Sequence, residues 1–234
     1  MTRFLVDEPF WALFPEARIG IVLAHGVDNR TPRPAVEERL AAVSREASGV
    51  LGDGEVADHP AVAPWRNAYR AFGAKPSKFR SSIESLLRSA RAGRLGTISP
   101  LVDLYNIASL EHRLPCGGED LASVAGDIRL TRARGGESFV PLGSSAADPP
   151  EAGEVVYLDD KGVLCRCWNW REAERTKLTP ATTDAFLCIE ALPPIAAEAH
   201  RAACEALAAQ VRQVLGGTAT VAILDRDHRQ MEWA

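Results

Sequence analysis

Residues 99–120, SPLVDLYNIASLEHRLPCGGED, constrain the fold more than any other stretch of the chain. Ser99 is a good N-cap, and Pro100 falls at the first helical position, where its missing N–H costs nothing. Leu101, Leu104, Ala108 and Leu110, with Val102 and Ile107 beside them, make the helix that follows largely apolar, and His112 and Arg113 lie near its negative C-terminal end. Asp103 and Asn106 interrupt that apolar surface. If the helix is buried both need partners, because an unsatisfied buried polar group costs about 1–3 kcal/mol. The segment then runs into Pro115-Cys116-Gly117-Gly118, read as a turn whose glycines let backbone amides approach a ligand closely. The stretch fits a site built on a core helix, and equally a capped core helix followed by an ordinary glycine turn.

The 234 residues can bury a large core, and 46% hydrophobic with 25% charged residues is an ordinary globular balance. No run of about 18 apolar residues exists to span a membrane. The N-terminus, MTRFLVDEPFWALF, carries acids and no small-residue cleavage site, so it does not read as a signal peptide. Cys116, Cys165, Cys167, Cys188 and Cys204 are odd in number and scattered, which fits reduced thiols in a cytoplasm. Cys165-x-Cys167 has no second pair at zinc-site spacing, so neither metal nor other cofactor is expected.

A net charge of −4 argues against indiscriminate nucleic-acid binding, yet residues 65–94 are locally basic. Arg66, Arg70, Lys75, Lys78, Arg80, Arg88, Arg91 and Arg94 are opposed only by Glu84, with Trp65, Tyr69, Phe72 and Phe79 interleaved. That composition suits phosphate contact and base stacking; it suits as well a solvated helix pair with its aromatics turned inward.

In chain order, Ile19–Ala24 reads as a buried strand and Pro34–Ala47 as an amphipathic helix, while residues 49–64 read as a surface connection. Residues 65–72 look helical, and Ser81 with Glu84 forms a capping box for a helix ending at Gly93. After Asp120 the character turns to strands: 128–131, 138–142, 155–158, 163–168, 186–189 and 218–224, with Asp159-Asp160-Lys161-Gly162 as a hairpin turn and an Ala-rich helix over 195–215. The strands cluster late, are not each followed by a helix, and no linker divides the chain. The expectation is one α+β domain over residues 1–234, helical with one buried strand in its N-terminal half and strand-rich in its C-terminal half.

From Leu101 to Leu192 the succession of motifs resembles the B3/B4 domain of the bacterial phenylalanyl-tRNA synthetase β subunit. The carriers are Val102-Asp103-x-x-Asn106, Pro115-x-x-x-x-Asp120, Arg132-Ala133-x-x-Gly136-Glu137, Asp159-x-x-Gly162, and Glu172 before the threonines at 176, 179, 182 and 183. Upstream, Trp65-Arg66-x-x-Tyr69-Arg70-x-Phe72-Gly73 and Lys78-x-Arg80-Ser81-Ser82-x-Glu84-x-Leu86-Leu87 are similar to freestanding B3/B4 proteins. No aminoacylating module or ATP-binding motif accompanies them.

The resemblance implies a B3/B4 fold and an editing activity, hydrolysis of a wrongly esterified amino acid from the 3′ end of a tRNA. The family's helix asparagine falls on Asn106 and its side-chain-reading glutamate on Glu172. Gly117 stands where the family has a histidine, and Tyr105 where it has a threonine; both bear on substrate identity. The expected site therefore comprises Asn106, Gly117 and Gly118 around the carbonyl, with the glycine amides and Asn106 polarising it. Glu172, Tyr105 and Cys116 are expected around the aminoacyl group, and Lys78, Arg80, Arg70 and Lys75 on phosphates of tRNA, not of DNA. His112 is the histidine nearest in sequence and reads as a structural or exposed helical residue. Trp168 and Trp170 are candidates to stack a terminal adenine or to fill the core. Two other functions fit the same residues: a module that binds tRNA or a free amino acid without turnover, and a hydrolase of small amino-acid derivatives with no RNA partner.

Overall fold

The computed structural model describes residues 2–52 and 54–233. Its strands are β1 (Thr2–Val6), β2 (Arg18–His25), β3 (Cys116–Asp120), β4 (Ile128–Arg132), β5 (Val155–Asp159), β6 (Gly162–Arg166), β7 (Arg171–Glu172), β8 (Ala185–Ala191), β9 (Thr218–Leu224) and β10 (Gln230–Trp233). Its helices are α1 (Glu8–Trp11), α2 (Pro34–Leu51), α3 (Ala63–Ala71), α4 (Ser82–Arg91), α5 (Pro100–His112) and α6 (Ala197–Leu215). The strands form two sheets, in the orders β10-β1-β4-β5-β6-β7 and β3-β8-β2-β9. Among the described residues only β1 and β4 pair in parallel.

The two sheets meet face to face. Phe4 on β1 stacks on Tyr157 of β5 and packs edge-on against Phe186 of β8, so one aromatic seam joins both layers. α6 covers the other face of the four-stranded sheet. It lies so close that a Cβ on Gly20 of β2 would sit 2.3 Å from the Cys204 sulfur, which is why that central strand carries a glycine.

Helix α5 is as buried as its apolar surface demands, with Leu101, Ile107 and Leu110 at 0% exposure. Its cap differs from expectation. The Ser99 hydroxyl caps nothing and has no partner among the described residues; Asn29, in the loop after β2, accepts from the Leu101 N–H and donates to the Thr179 carbonyl. The carboxylate of Asp103 turns back to accept from the Ile98 N–H.

Several boundaries move. Pro115-Cys116-Gly117-Gly118 is not a turn: Cys116–Asp120 is the edge strand β3, paired antiparallel with β8. Residues 49–64 are not a plain surface connection, since α2 runs on to Leu51 and Val56 and Val62 are fully buried. The expected strand at 138–142 reduces to a single bridge between Pro141 and Ala173. The strand expected over 163–168 ends at Arg166, because Cys167 and Trp168 adopt positive φ. Strands β1 and β10, which sequence periodicity does not single out, pair with each other and close one side of the larger sheet.

The basic segment resolves into the inward-facing arrangement for most of its aromatics: Trp65, Tyr69 and Phe72 are buried. Glu84, fully buried, gathers Arg66 and Arg88 at about 3 Å, with Arg80 at 3.9 Å. Ser81 accepts from the Glu84 N–H as a capping box requires, but the Glu84 carboxylate serves these arginines.

Candidate functional site

Strand register decides which side chains look into the space between the sheets. Across the larger sheet Tyr157, Cys165 and Glu172 are direct partners and share a face. Across the smaller sheet Gly117 pairs with Cys188 and Glu119 with Phe186, and Glu190 lies two residues beyond Cys188 on the same side. These faces enclose a cavity of about 360 Å³, closed by α4 and α5. A volume of that size suits a small organic group.

All six residues expected from sequence to surround the aminoacyl group line this one cavity: Tyr105, Asn106, Cys116, Gly117, Gly118 and Glu172. Asn106, 9% exposed, makes no side-chain hydrogen bond among the described residues, so its amide is free to serve an occupant. Glu172 is half-buried, and one carboxylate oxygen, Oε1, accepts from the Gly118 N–H at 3.1 Å. A Cβ on Gly117 would come within 3.0 Å of that same oxygen, so the glycine makes room for the carboxylate to rest on β3. Burial pushes Glu172 up to about 6, with the Gly118 hydrogen bond and then the nearby Arg171 working against the rise.

This arrangement corrects the expected role of the glycines. The Gly118 amide is engaged by Glu172, and Gly117 lies in the β3–β8 ladder opposite Cys188, so neither forms a free amide nest. Together they give the Glu172 carboxylate its seat on β3.

The cavity also holds polar groups that sequence reading does not nominate. Glu190 is 3% exposed; it accepts from the Tyr157 hydroxyl at 2.5 Å and from the Asn169 amide at 2.6 Å, and Asn169 in turn accepts from the Tyr69 hydroxyl at 3.0 Å. Burial pushes Glu190 up to about 7, opposed by these donors. Glu119 is raised well above its ordinary value, by burial first and then by the Glu172 carboxylate. The one sequence signal was the acid Glu190 within the apolar run 186–192; Glu119, beside Asp120, has none, and the convergence of the two depends on strand pairings distant in sequence.

The tryptophans, the motif threonines, His112 and the basic residues take different places. Trp168 contributes to the cavity wall, but it is fully buried against Phe10, Phe14 and Trp65, with ring centroids 4.8–4.9 Å away, so its faces are taken by the core. Trp170 is only partly buried and does line the cavity. Thr182 binds Asp120 and Thr183 binds Asp184, away from the cavity lining. His112 does not line it either. Lys78 and Arg80 are exposed and flank Phe79, whose ring packs edge-on to Trp170 at 4.7 Å; Arg70 and Lys75 are exposed further along the same segment.

The family model for the B3/4 domain matches residues 64–214. The chain belongs to the B3/4 domain family. Among solved structures, this B3/4 protein is similar to an N-terminal fragment of the phenylalanyl-tRNA synthetase β-subunit from Pyrococcus horikoshii, with a TM-score of 0.46 and 14% identity over 92% of this chain and 49% of that one. The chain thus spans about half the length of that fragment. No curated protein matches it. Among the described residues, no helix is long and apolar enough to cross a membrane.

Proposed function

We propose that this B3/4 protein binds the 3′ end of a charged tRNA and hydrolyses the aminoacyl ester. The observation that carries the reading is that Asn106 and Glu172, the two positions matching the family's motif, come from α5 and β7 to line one cavity. Each presents a polar atom with no partner among the described residues, the Asn106 amide and the second oxygen of Glu172.

In this reaction water adds to the ester carbonyl and the bond from carbonyl carbon to ribose oxygen breaks. The water proton ends on that oxygen, leaving the free amino acid and the terminal hydroxyl. An ester is already activated, so positioning and polarisation suffice. Asn106 polarises the carbonyl or holds the water. Glu172, fixed through Gly118, holds the ammonium of the aminoacyl group. Lys78 and Arg80 take terminal phosphates beside the Phe79–Trp170 pair, with Arg70 and Lys75 extending the basic track.

The test is a deacylation time course on correctly and wrongly charged tRNAs at low and moderate salt. Selective loss of one mischarged ester supports the proposal and identifies the substrate. Binding that weakens with salt but yields no release makes the protein a binding module. Neither release nor binding leaves a small amino-acid derivative, free of RNA, as the occupant.

A further inference from the structure

Three of the charged side chains lining the cavity are carboxylates, Glu119, Glu172 and Glu190. The one cationic side chain among the described lining residues, Arg171, is exposed and lies over Trp170, 5.7 Å from its ring. The nearby arginines are committed elsewhere: the buried Arg166 to Glu154 and Asp148, the half-buried Arg175 to Asp159. Glu190 is held by neutral donors alone, Tyr157 and Asn169. A glutamine would fill the same space and keep an acceptor toward Asn169, provided the Tyr157 hydroxyl turned to accept from its amide nitrogen. A carboxylate buried without a counter-charge is costly to fold, and such groups concentrate where a ligand supplies the missing charge. Asn106, nine-tenths buried and unpartnered, independently marks the same cavity as built for an occupant.

We infer that the cavity selects an aminoacyl group whose side chain ends in an ammonium or guanidinium, with Glu190 as the side chain's counter-charge and Glu172 as that of the α-ammonium. The inference deepens the hydrolase reading and rests on it for the aminoacyl linkage. Two carboxylates on opposite sheets then meet two cations of one ligand. Selectivity arises because a neutral side chain of equal length leaves Glu190 desolvated and uncompensated.

The test measures binding of lysinamide, argininamide and norleucinamide to the full chain by calorimetry or NMR titration, in wild type and in Glu190→Gln. Norleucinamide matches the lysine stem without its charge. The expected result is a preference for the cationic amides of roughly tenfold or more, which collapses in Glu190→Gln as the cationic amides weaken and norleucinamide, freed of the uncompensated carboxylate, binds at least as tightly as to wild type. Equal or tighter binding of norleucinamide overturns the inference, as does a preference that survives Glu190→Gln, or no binding of any amide. The wild-type comparison decides alone if the variant fails to fold. The deacylation panel separates the two claims. Hydrolysis confined to neutral aminoacyl esters removes the inference and leaves the hydrolase reading standing. A cationic preference with no hydrolysis of any charged tRNA removes the hydrolase reading and leaves the pocket assignment.

Discussion

At the residue scale, Asn106 gives the sharpest separation of function from stability. Its amide makes no side-chain hydrogen bond among the described residues, so truncation removes no internal partner. Asn106→Ala is therefore expected to lower the deacylation rate by about a hundredfold or more, the usual effect of deleting one polarising group, while the thermal midpoint barely moves. A variant that loses stability and activity together would place Asn106 in the core instead. Glu172 adds a pH signature. With a value of about 6, it gains its charge as pH rises through that region, so the enzyme-dependent rate should rise there and Glu172→Gln should flatten that part of the profile. Asn106 was legible in sequence as a polar side chain interrupting an apolar helix, and Glu172 only through the family motif it matches. Glu190 was not. It lies one position past the strand read from sequence, and its partners Tyr157 and Asn169 reach it only through the packing of one sheet on the other.

At the element scale, the edge strand β3 is the piece that sequence reading placed wrongly, and the reason is physical. A Cys-Gly-Gly run has weak intrinsic strand preference, so it reads as a turn; pairing with the fully buried β8 overrides that preference. The consequence is testable at Gly117. Gly117→Ala puts a Cβ 3.0 Å from the Glu172 oxygen, and the carboxylate relieves the contact by shifting a few tenths of an ångström, at the expense of its hydrogen bond from the Gly118 amide. The expected outcome is a folded protein with impaired deacylation and a Gly118 amide proton that shifts and exchanges faster by NMR; an unchanged Gly118 signal would show that the strand absorbs the methyl group. The same lesson appears at the start of α5. Ser99 has the residue type and position of a cap, yet Asn29, brought in by the loop after β2, supplies it. Asn29→Ala should cost about 1–2 kcal/mol in denaturant unfolding, since it removes both the Leu101 cap and the tie to Thr179, whereas Ser99→Ala should cost less.

At the scale of the whole molecule, the polar cavity makes stability depend on pH in a direction that can be worked out. Glu190 sits at about 7 when folded against an ordinary 4.5, so between those values the native state binds more protons than the unfolded chain. Stability from this group is then fully present below about pH 4.5 and is lost as pH rises through about 7. His200 runs the other way. Buried beneath the Ile189 carbonyl and lowered to about 4, it releases its proton on folding, so stability rises as pH climbs from about 4 toward 6.5. The two slopes oppose one another in the wild type, and its overall curve will not expose either. The difference between Glu190→Gln and wild type isolates one of them, because His200 is common to both. Glu190→Gln should show little relative change near pH 4 and a stabilisation growing to on the order of 2–3 kcal/mol by pH 8, read from urea unfolding at each pH. A cationic occupant acts on the same term: saturating lysinamide should raise the wild-type midpoint more at pH 8 than at pH 5 and lose that pH dependence in Glu190→Gln. A variant no more stable than wild type at pH 8 would mean that Tyr157 and Asn169 already compensate the buried charge, and the fold would then need no ligand to complete it.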